Sequence, residues 1–389
     1  MSDRNRIILI SKDVLMRGYL PVYGNKYNKT PNIDELSEKG TVFNRHYTAA
    51  PSTAMAFTSM FTGLYAYETD RKKYVEVSDW QGDTFFDKMA QQGYDCHIVW
   101  DKSYVYLAQR YSKCYGRNSK FHNTEFLTRP QPAHIKGRHD DMSFDAVLEE
   151  ECIKKMQELT EEIVNSSEKI FMWVHFPHAL LGRNAYGSDI DMLDRMIGMF
   201  RKYFNDDSIY ITADHGHMNG SHGKYGYGFD VYENAIQIPL ITPRIDGMKT
   251  VDFATSNIQL GDIIQGKVEK HDIIYSETAY YMQPHRKIAI IKGRFKYIYE
   301  KLTGKEFLFD IEWDKDENIN LLDTEIYDTD RNRSYSLTQR FFYPYWTEIE
   351  NAVNELRNEK NRIWKNASPP TEIKEKILFK LKKLYMKFK

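Results

Sequence analysis

Two hydrophobic patterns alternate along this chain. Short runs of consecutive apolar residues end abruptly in polar ones, and longer stretches with apolar positions at helical spacing separate them. Ile7-Ile8-Leu9-Ile10 is the first run, apolar at every position as in a strand buried on both faces. Residues 96–100, 170–174 and 208–212 repeat the pattern. Helices are predicted over 33–39, 54–61, 83–92, 144–162 and 189–204. Strand and helix in alternation over residues 1–265 predict an α/β body around a mostly parallel sheet. Residues 266–330 read as a small antiparallel sheet, and residues 331–389 as a helical tail. The polar, Pro-bearing stretch 117–142 reads as a loop on the rim of the site, rich enough in Arg, Lys and His to grip an anion.

Chemistry gathers where the apolar runs stop. The run 208–212 gives way to Asp214-His215-Gly216, and the first run to Lys12-Asp13. Open α/β sheets collect ligands at the C-terminal ends of their strands, so a carboxylate and an imidazole there form a candidate divalent-cation site. Between them lies Pro51-Ser52-Thr53-Ala54, where small hydroxyl residues open a helix that stops at Gly63. A hydroxyl at a helix N-terminus faces free backbone N–H groups and a positive dipole end, which suits attack on an anionic ester.

These segments resemble the sulfatase branch of the alkaline phosphatase superfamily. The resemblance rests on residues 7–24; on 30–43; on 51–64; on 209–241, with Gly220-Ser221-His222-Gly223 and Tyr232-Glu233-Asn234; and on 287–322. It implies a sandwich with a mostly parallel central sheet flanked by helices, plus a small C-terminal antiparallel sheet. The family's nucleophile is a Cys or Ser, followed two and four positions later by Pro and Arg, and it is oxidised to formylglycine. Counted back from Thr62-Gly63, that position falls on Thr53, with Met55 and Phe57 in the places of Pro and Arg. Threonine cannot yield formylglycine. The family's paired aspartates are reduced to Asp13-Val14, and its lysine after the Gly-Tyr strand is lost, with Asp101-Lys102 nearby.

A threonine with one leading carboxylate and an Asp-His pair is instead similar to lipoteichoic acid synthase, phosphoethanolamine transferases and nucleotide pyrophosphatase/phosphodiesterases. Carried over, the resemblance implies a metal site of Asp13, Thr53, Asp214 and His215, holding one divalent ion. Mn2+, Mg2+ or Ca2+ is expected for an oxygen-rich set, with Zn2+ next. Thr53 is the expected nucleophile, with Ser52 as the alternative in a shifted register. His178 and His222 are the expected proton donors, and His175 a third candidate. His46, His97, His134, His139 and His285 are read as ordinary histidines.

Composition narrows the picture. The chain has 389 residues, 41% hydrophobic and 28% charged, and a formal net charge of -1, which argues against nucleic acid as a partner. The first residues lead straight into the first strand without a signal-peptide pattern, and the three cysteines are widely spaced. Both features predict a cytoplasmic location. Residues 371–389 form a basic amphipathic pattern for which the enzyme body, a sister subunit and an anionic membrane face are alternative covers. Three functions follow as alternatives. The first is a metal-dependent phosphoester hydrolase or phosphotransferase, acting on a cell-envelope glycan or its lipid-linked precursor. The second is a sulfuric-ester hydrolase using an unmodified hydroxyl. The third is a silent metal-binding member.

Overall fold

The computed structural model describes residues 4–65, 67–68, 82–110, 112–128, 142–178, 189–278, 286–323, 325–328, 333–336 and 345–367. The central sheet comprises β1 (Arg6–Lys12), β2 (Thr41–Phe43), β3 (Asp95–Asp101), β4 (Lys120–Thr124), β5 (Ile170–Phe176), β6 (Ile209–Ala213), β7 (Leu240–Thr242) and β8 (Thr250–Val251). Its order is β8-β2-β7-β6-β1-β5-β3-β4, parallel throughout except where β7 pairs with β6 and β2. This is the α/β architecture the apolar runs predict. The run at 208–212 is displaced by one residue, and the helix expected to reach 204 ends at Phe200.

Both faces of the sheet are buried, which is why its strands are apolar at consecutive positions. Ile8, Ile10, Met172, Val174 and Ile211 pack against α1 (Pro31–Lys39), α4 (Met142–Ser166) and α5 (Ile190–Phe200). Ile7, Leu9, Phe171, Trp173 and Tyr210 face α2 (Thr53–Thr62) and α3 (Phe85–Gln91). That second core is aromatic, with Phe61 against Phe86 and Trp173 at centroid distances of 4.7 Å. Each such ring contributes roughly 2–3 kcal/mol by leaving water.

A second sheet follows, antiparallel in the order β9 (Ile274–Glu277), β10 (Lys287–Lys292), β11 (Phe295–Glu300), β12 (Glu306–Asp310). The tail helix α6 (Trp346–Ala367) lays Ile349, Val353, Leu356 and Ile363 on the same core as Ile288, Ile290 and Leu308. Enzyme body is therefore the cover for this part of the tail. Residues 371–389, the expected basic amphipathic helix, lie outside the described residues. Among the described residues, no helix is long and apolar enough to cross a membrane.

Lys296 of β11 joins the small sheet to the segments that carry Glu233 and Glu317. Its fully buried ammonium meets Glu317 at 2.7 Å and Glu233 at 2.9 Å. Burial, with Glu233 close by, pushes the Glu317 carboxyl up to about 7 despite Lys296. Two carboxylates share one cation, so Glu317 keeps its proton in the folded protein at pH values where the unfolded chain has lost it. The stability this confers is complete below the ordinary glutamate range and is lost as pH rises through about 7. Between pH 5 and 8, wild type should therefore lose on the order of 2 kcal/mol more stability than Glu317→Gln, which has no proton to release. Urea unfolding at both pH values measures this, and equal losses in the two proteins would refute it.

Candidate functional site

β6, β1 and β5 lie side by side in register, with Ser11 opposite both Thr212 and His175. Side chains on neighbouring parallel strands in register share a face, and alternation places Asp13 and Asp214 two positions beyond Ser11 and Thr212. The face they share is the one α2 covers. Three strand ends thus present Asp13, His175 and Asp214, all buried, with ligand atoms within 4.8 Å of one another. The backbone holds this end closed, since Asp13 N–H donates to Phe176 O at 2.9 Å. Gly216 matters for the same reason: a Cβ there would stand 2.0 Å from Asn234 O, where the strand end pairs with residues 234–235.

Ser52, in extended backbone, precedes α2, and Gly63, in the left-handed region, ends it. Thr53 is the first helical residue, and its Oγ1 lies 3.2 Å from His215 Nε2. No side chain caps the helix, so its first amides remain open to a ligand. Of the two candidate hydroxyls, Thr53 is the one set against the cluster. His215 Nδ1 lies 2.8 Å from Gly216 O, which can only accept, so the proton is on Nδ1 and Nε2 carries the lone pair. That lone pair faces Asp13 Oδ1 at 3.5 Å and Asp214 Oδ2 at 3.4 Å.

Asp13 Oδ1 and Asp214 Oδ2 are buried and have no hydrogen-bond donor. Such oxygens are costly unless a cation sits among them. Burial pushes the Asp214 carboxyl up to about 7, and neighbouring Asp13 adds to this against the pull of His215. Burial also opposes ionisation of Asp13. There, His215, His175, the Tyr104 hydroxyl and Lys12 prevail, and hold its carboxyl below the usual range. The chemistry of these donors fits a divalent cation, the group that the resemblance implies for Asp13, Thr53, Asp214 and His215.

Packing takes the place of the arginine of the resemblance, and a hydrogen-bonded turn stands near that of the lysine. Phe57 sets its ring edge against Trp173 and His175 at 4.8 and 4.7 Å. Asp101 accepts from Ser103 N–H and Thr128 Oγ1–H, both at 2.9 Å, and Lys102 pairs with Glu125 at the surface. Lys12, next to Ser11 in the strand, turns to the opposite face of the sheet. Its Nζ meets Asp189 at 2.9 Å and donates to the carbonyls of Asp13, Pro177 and His178, which fixes the turn carrying His178.

His178, with Nδ1 buried and unpartnered, stands 5.9 Å from His217 and 6.0 Å from Tyr227 between ring centroids. Tyr227, 41% exposed, also lies 4.9 Å from the His215 ring. Burial lowers the pKa of His178, and takes His217 down to about 4 with help from His178 and His215. His222 is placed elsewhere. It stacks on Tyr232 at 3.9 Å in left-handed backbone, in a recess shared with Asn234 and Glu317. The sequence pattern does not single out Tyr104, His217 or Tyr227. Tyr104 donates its O–H to Asp13 Oδ2 at 2.7 Å. His217, two residues after His215, carries a faint signal in its spacing.

The sulfatase family model matches residues 5–275. The chain belongs to the sulfatase family. An uncharacterized sulfatase, YidJ of Escherichia coli K12, is 22% identical over 375 residues, covering 77% of this chain and 76% of that protein. An arylsulfatase of Clostridium perfringens is 31% identical over a shorter stretch of 101 residues, 26% of this chain and 21% of that one. Among solved structures, a 2-O GAG sulfatase superposes with a TM-score of 0.67 at 14% identity, over 92% of both chains. The phosphonate monoester hydrolase of Agrobacterium radiobacter gives 0.60 at 15% identity, over 92% of this chain and 96% of that one. The fold of this sulfatase-family chain is thus shared by proteins acting on sulfur and on phosphorus esters.

Proposed function

We propose that this chain is a metal-dependent phosphoester hydrolase or phosphotransferase with Thr53 as its nucleophile. The observation that carries the proposal is the Thr53 hydroxyl at the start of α2, 3.2 Å from His215 Nε2 and beside two unpartnered carboxylate oxygens. Asp13, Asp214, His215 and Thr53 would hold a divalent cation, which would supply positive charge against that of the ester and lower the pKa of the Thr53 hydroxyl. Thr53 Oγ1 attacks phosphorus in line with the leaving oxygen, aided by the open amides of α2, and the phosphothreonine formed passes to water or an acceptor hydroxyl. His178, kept neutral by burial, relays the proton that Thr53 loses to the leaving oxygen, which departs as the alcohol. His217 stays neutral and orients its neighbours.

The superposition with a phosphonate monoester hydrolase supports phosphorus chemistry on this fold. A glycan-borne ester, on a cell-envelope polysaccharide or its lipid-linked precursor, is the substrate class we favour. The 2-O GAG sulfatase and the exposed ring of Tyr227, 4.9 Å from the His215 ring, support it. Purified protein, assayed with an aryl phosphomonoester, an aryl phosphodiester and an aryl sulfate, tests the reading. Phosphoester turnover that EDTA removes and added metal restores is expected. Faster release of sulfate than of phosphate would return the chain to sulfuric-ester hydrolysis.

Tyr104 provides a finer check. Its hydroxyl fixes Asp13, and partners that orient a metal ligand typically contribute 10–100-fold to affinity. Tyr104→Phe should therefore weaken metal binding by about 10-fold or more in a calorimetric titration, with little change in melting temperature. Unchanged affinity would show that Asp13 is not a ligand.

A further inference from the structure

The donors carried over from the resemblance, two carboxylates, a hydroxyl and one imidazole, describe an oxygen-rich centre. One more nitrogen lies against it. His175 is fully buried at the end of β5, on the sheet face that presents Asp13 and Asp214, and its Nε2 has no hydrogen-bond partner. A ring nitrogen of His175 lies within 4.8 Å of the carboxylate oxygens of both aspartates.

The rest of the ring is fixed. Nδ1 is 2.8 Å from Ser11 Oγ, which itself accepts from Trp173 Nε1–H at 2.8 Å. The edge of Phe57 and the ring of Tyr104 clamp it at 4.7 and 4.9 Å, near perpendicular at 88° and 75°. An imidazole whose far nitrogen is hydrogen-bonded and whose plane is locked is what metal-ligating histidines require. The neighbouring strand end supplies nothing in its place: Val14, in left-handed backbone at φ 63°, follows Asp13 with an apolar side chain, and its N–H goes to Asp214 Oδ1 at 3.3 Å.

We propose that His175 Nε2 is a further ligand of this centre. Two imidazoles and two carboxylates then face one cation, and the site selects Zn2+, Mn2+ or Co2+ over Ca2+ and Mg2+. The proposal rests on the metal-dependent reading above and deepens it. This assignment puts the His175 proton on Nδ1, donated to Ser11 Oγ, and leaves the lone pair on Nε2 for the cation. Nitrogen donors raise affinity for transition ions far more than for the hard alkaline-earth ions, which keep to oxygen.

The test uses full-length protein stripped with chelator and reloaded with Zn2+. X-ray absorption at the zinc edge counts imidazoles without any substitution. Two are expected in wild type and one in His175→Gln. Competition titrations should show wild type preferring Zn2+ to Ca2+ by at least about 10³-fold, and His175→Gln should lose about 10–100-fold in Zn2+ affinity while Ca2+ affinity stays level. Circular dichroism and melting of metal-free His175→Gln and His175→Asn establish that they fold. One imidazole in wild type, or unaltered Zn2+ affinity in both folded variants, overturns the assignment but leaves the metal-dependent reading intact. Absence of binding in wild type overturns both. Loss of binding in Asp214→Asn, with His175→Gln indifferent, overturns this inference alone.

Discussion

Thr53→Ala should lower kcat/KM for phosphoesters by about 10⁴-fold or more, because it removes the atom that forms the new bond. The loss should not come from the fold. Thr53 does not cap α2, and the hydroxyl it would lose is set against His215 and Asp214 rather than against the core. Melting temperature should therefore move little. Thr53→Ser keeps an oxygen at the same place and should retain activity within about 100-fold of wild type. Steady-state kinetics on the three proteins, with unfolding curves alongside, decide the matter. Should Thr53→Ala keep more than about a tenth of wild-type activity, Thr53 is not the nucleophile, and Ser52 or a water takes its place.

The largest effect on stability is expected at Lys12. It is buried, paired with fully buried Asp189, and its ammonium also gathers the Asp13, Pro177 and His178 carbonyls. Removing one member of such a pair leaves the other charged, buried and alone, which costs about 3–5 kcal/mol. Lys12→Met should be destabilised by this amount in urea. Removing both charges is much less costly than removing one, so Lys12→Met with Asp189→Leu should recover a large part of the loss. Catalysis should stay impaired in the double variant, because the turn bearing His178 has lost its anchor. A Lys12→Met protein within about 1 kcal/mol of wild type would mean the pair is solvated in solution.

Much of this site is legible in the amino-acid sequence. Asp13, Thr53, Asp214 and His215 each follow or open a strongly patterned element, and parallel strands bring such ends together as a matter of topology. Strand β4 is not legible. Its sequence Lys-Phe-His-Asn-Thr lies inside the stretch that reads as a rim loop, and as a mostly exposed edge strand it carries no apolar run. Residues 129–141 of that stretch lie outside the described residues. Strands β2, β7 and β8 are too short to print a period. Tyr104 and Tyr227 reach the site from turns, where nothing in the local pattern tells which way a hydroxyl or ring will point. Lys12 illustrates the converse. It adjoins Asp13 in sequence, yet alternation turns its side chain to the opposite face, from which it acts on the site through its charge and the carbonyls of Asp13 and His178. Phe57 stands where the resemblance has a cation, and the aromatic core explains its packing without explaining why the charge was given up.

The central claim is a covalent one, so it has a direct test. Metal-loaded wild type is mixed with an aryl phosphodiester, quenched in acid, digested and analysed by mass spectrometry beside Thr53→Ala. The account predicts a phosphoryl group on Thr53 in wild type and no modified active-site peptide in the variant. A phosphorylated Ser52, or turnover of the ester with no protein adduct at any quench time, would contradict it.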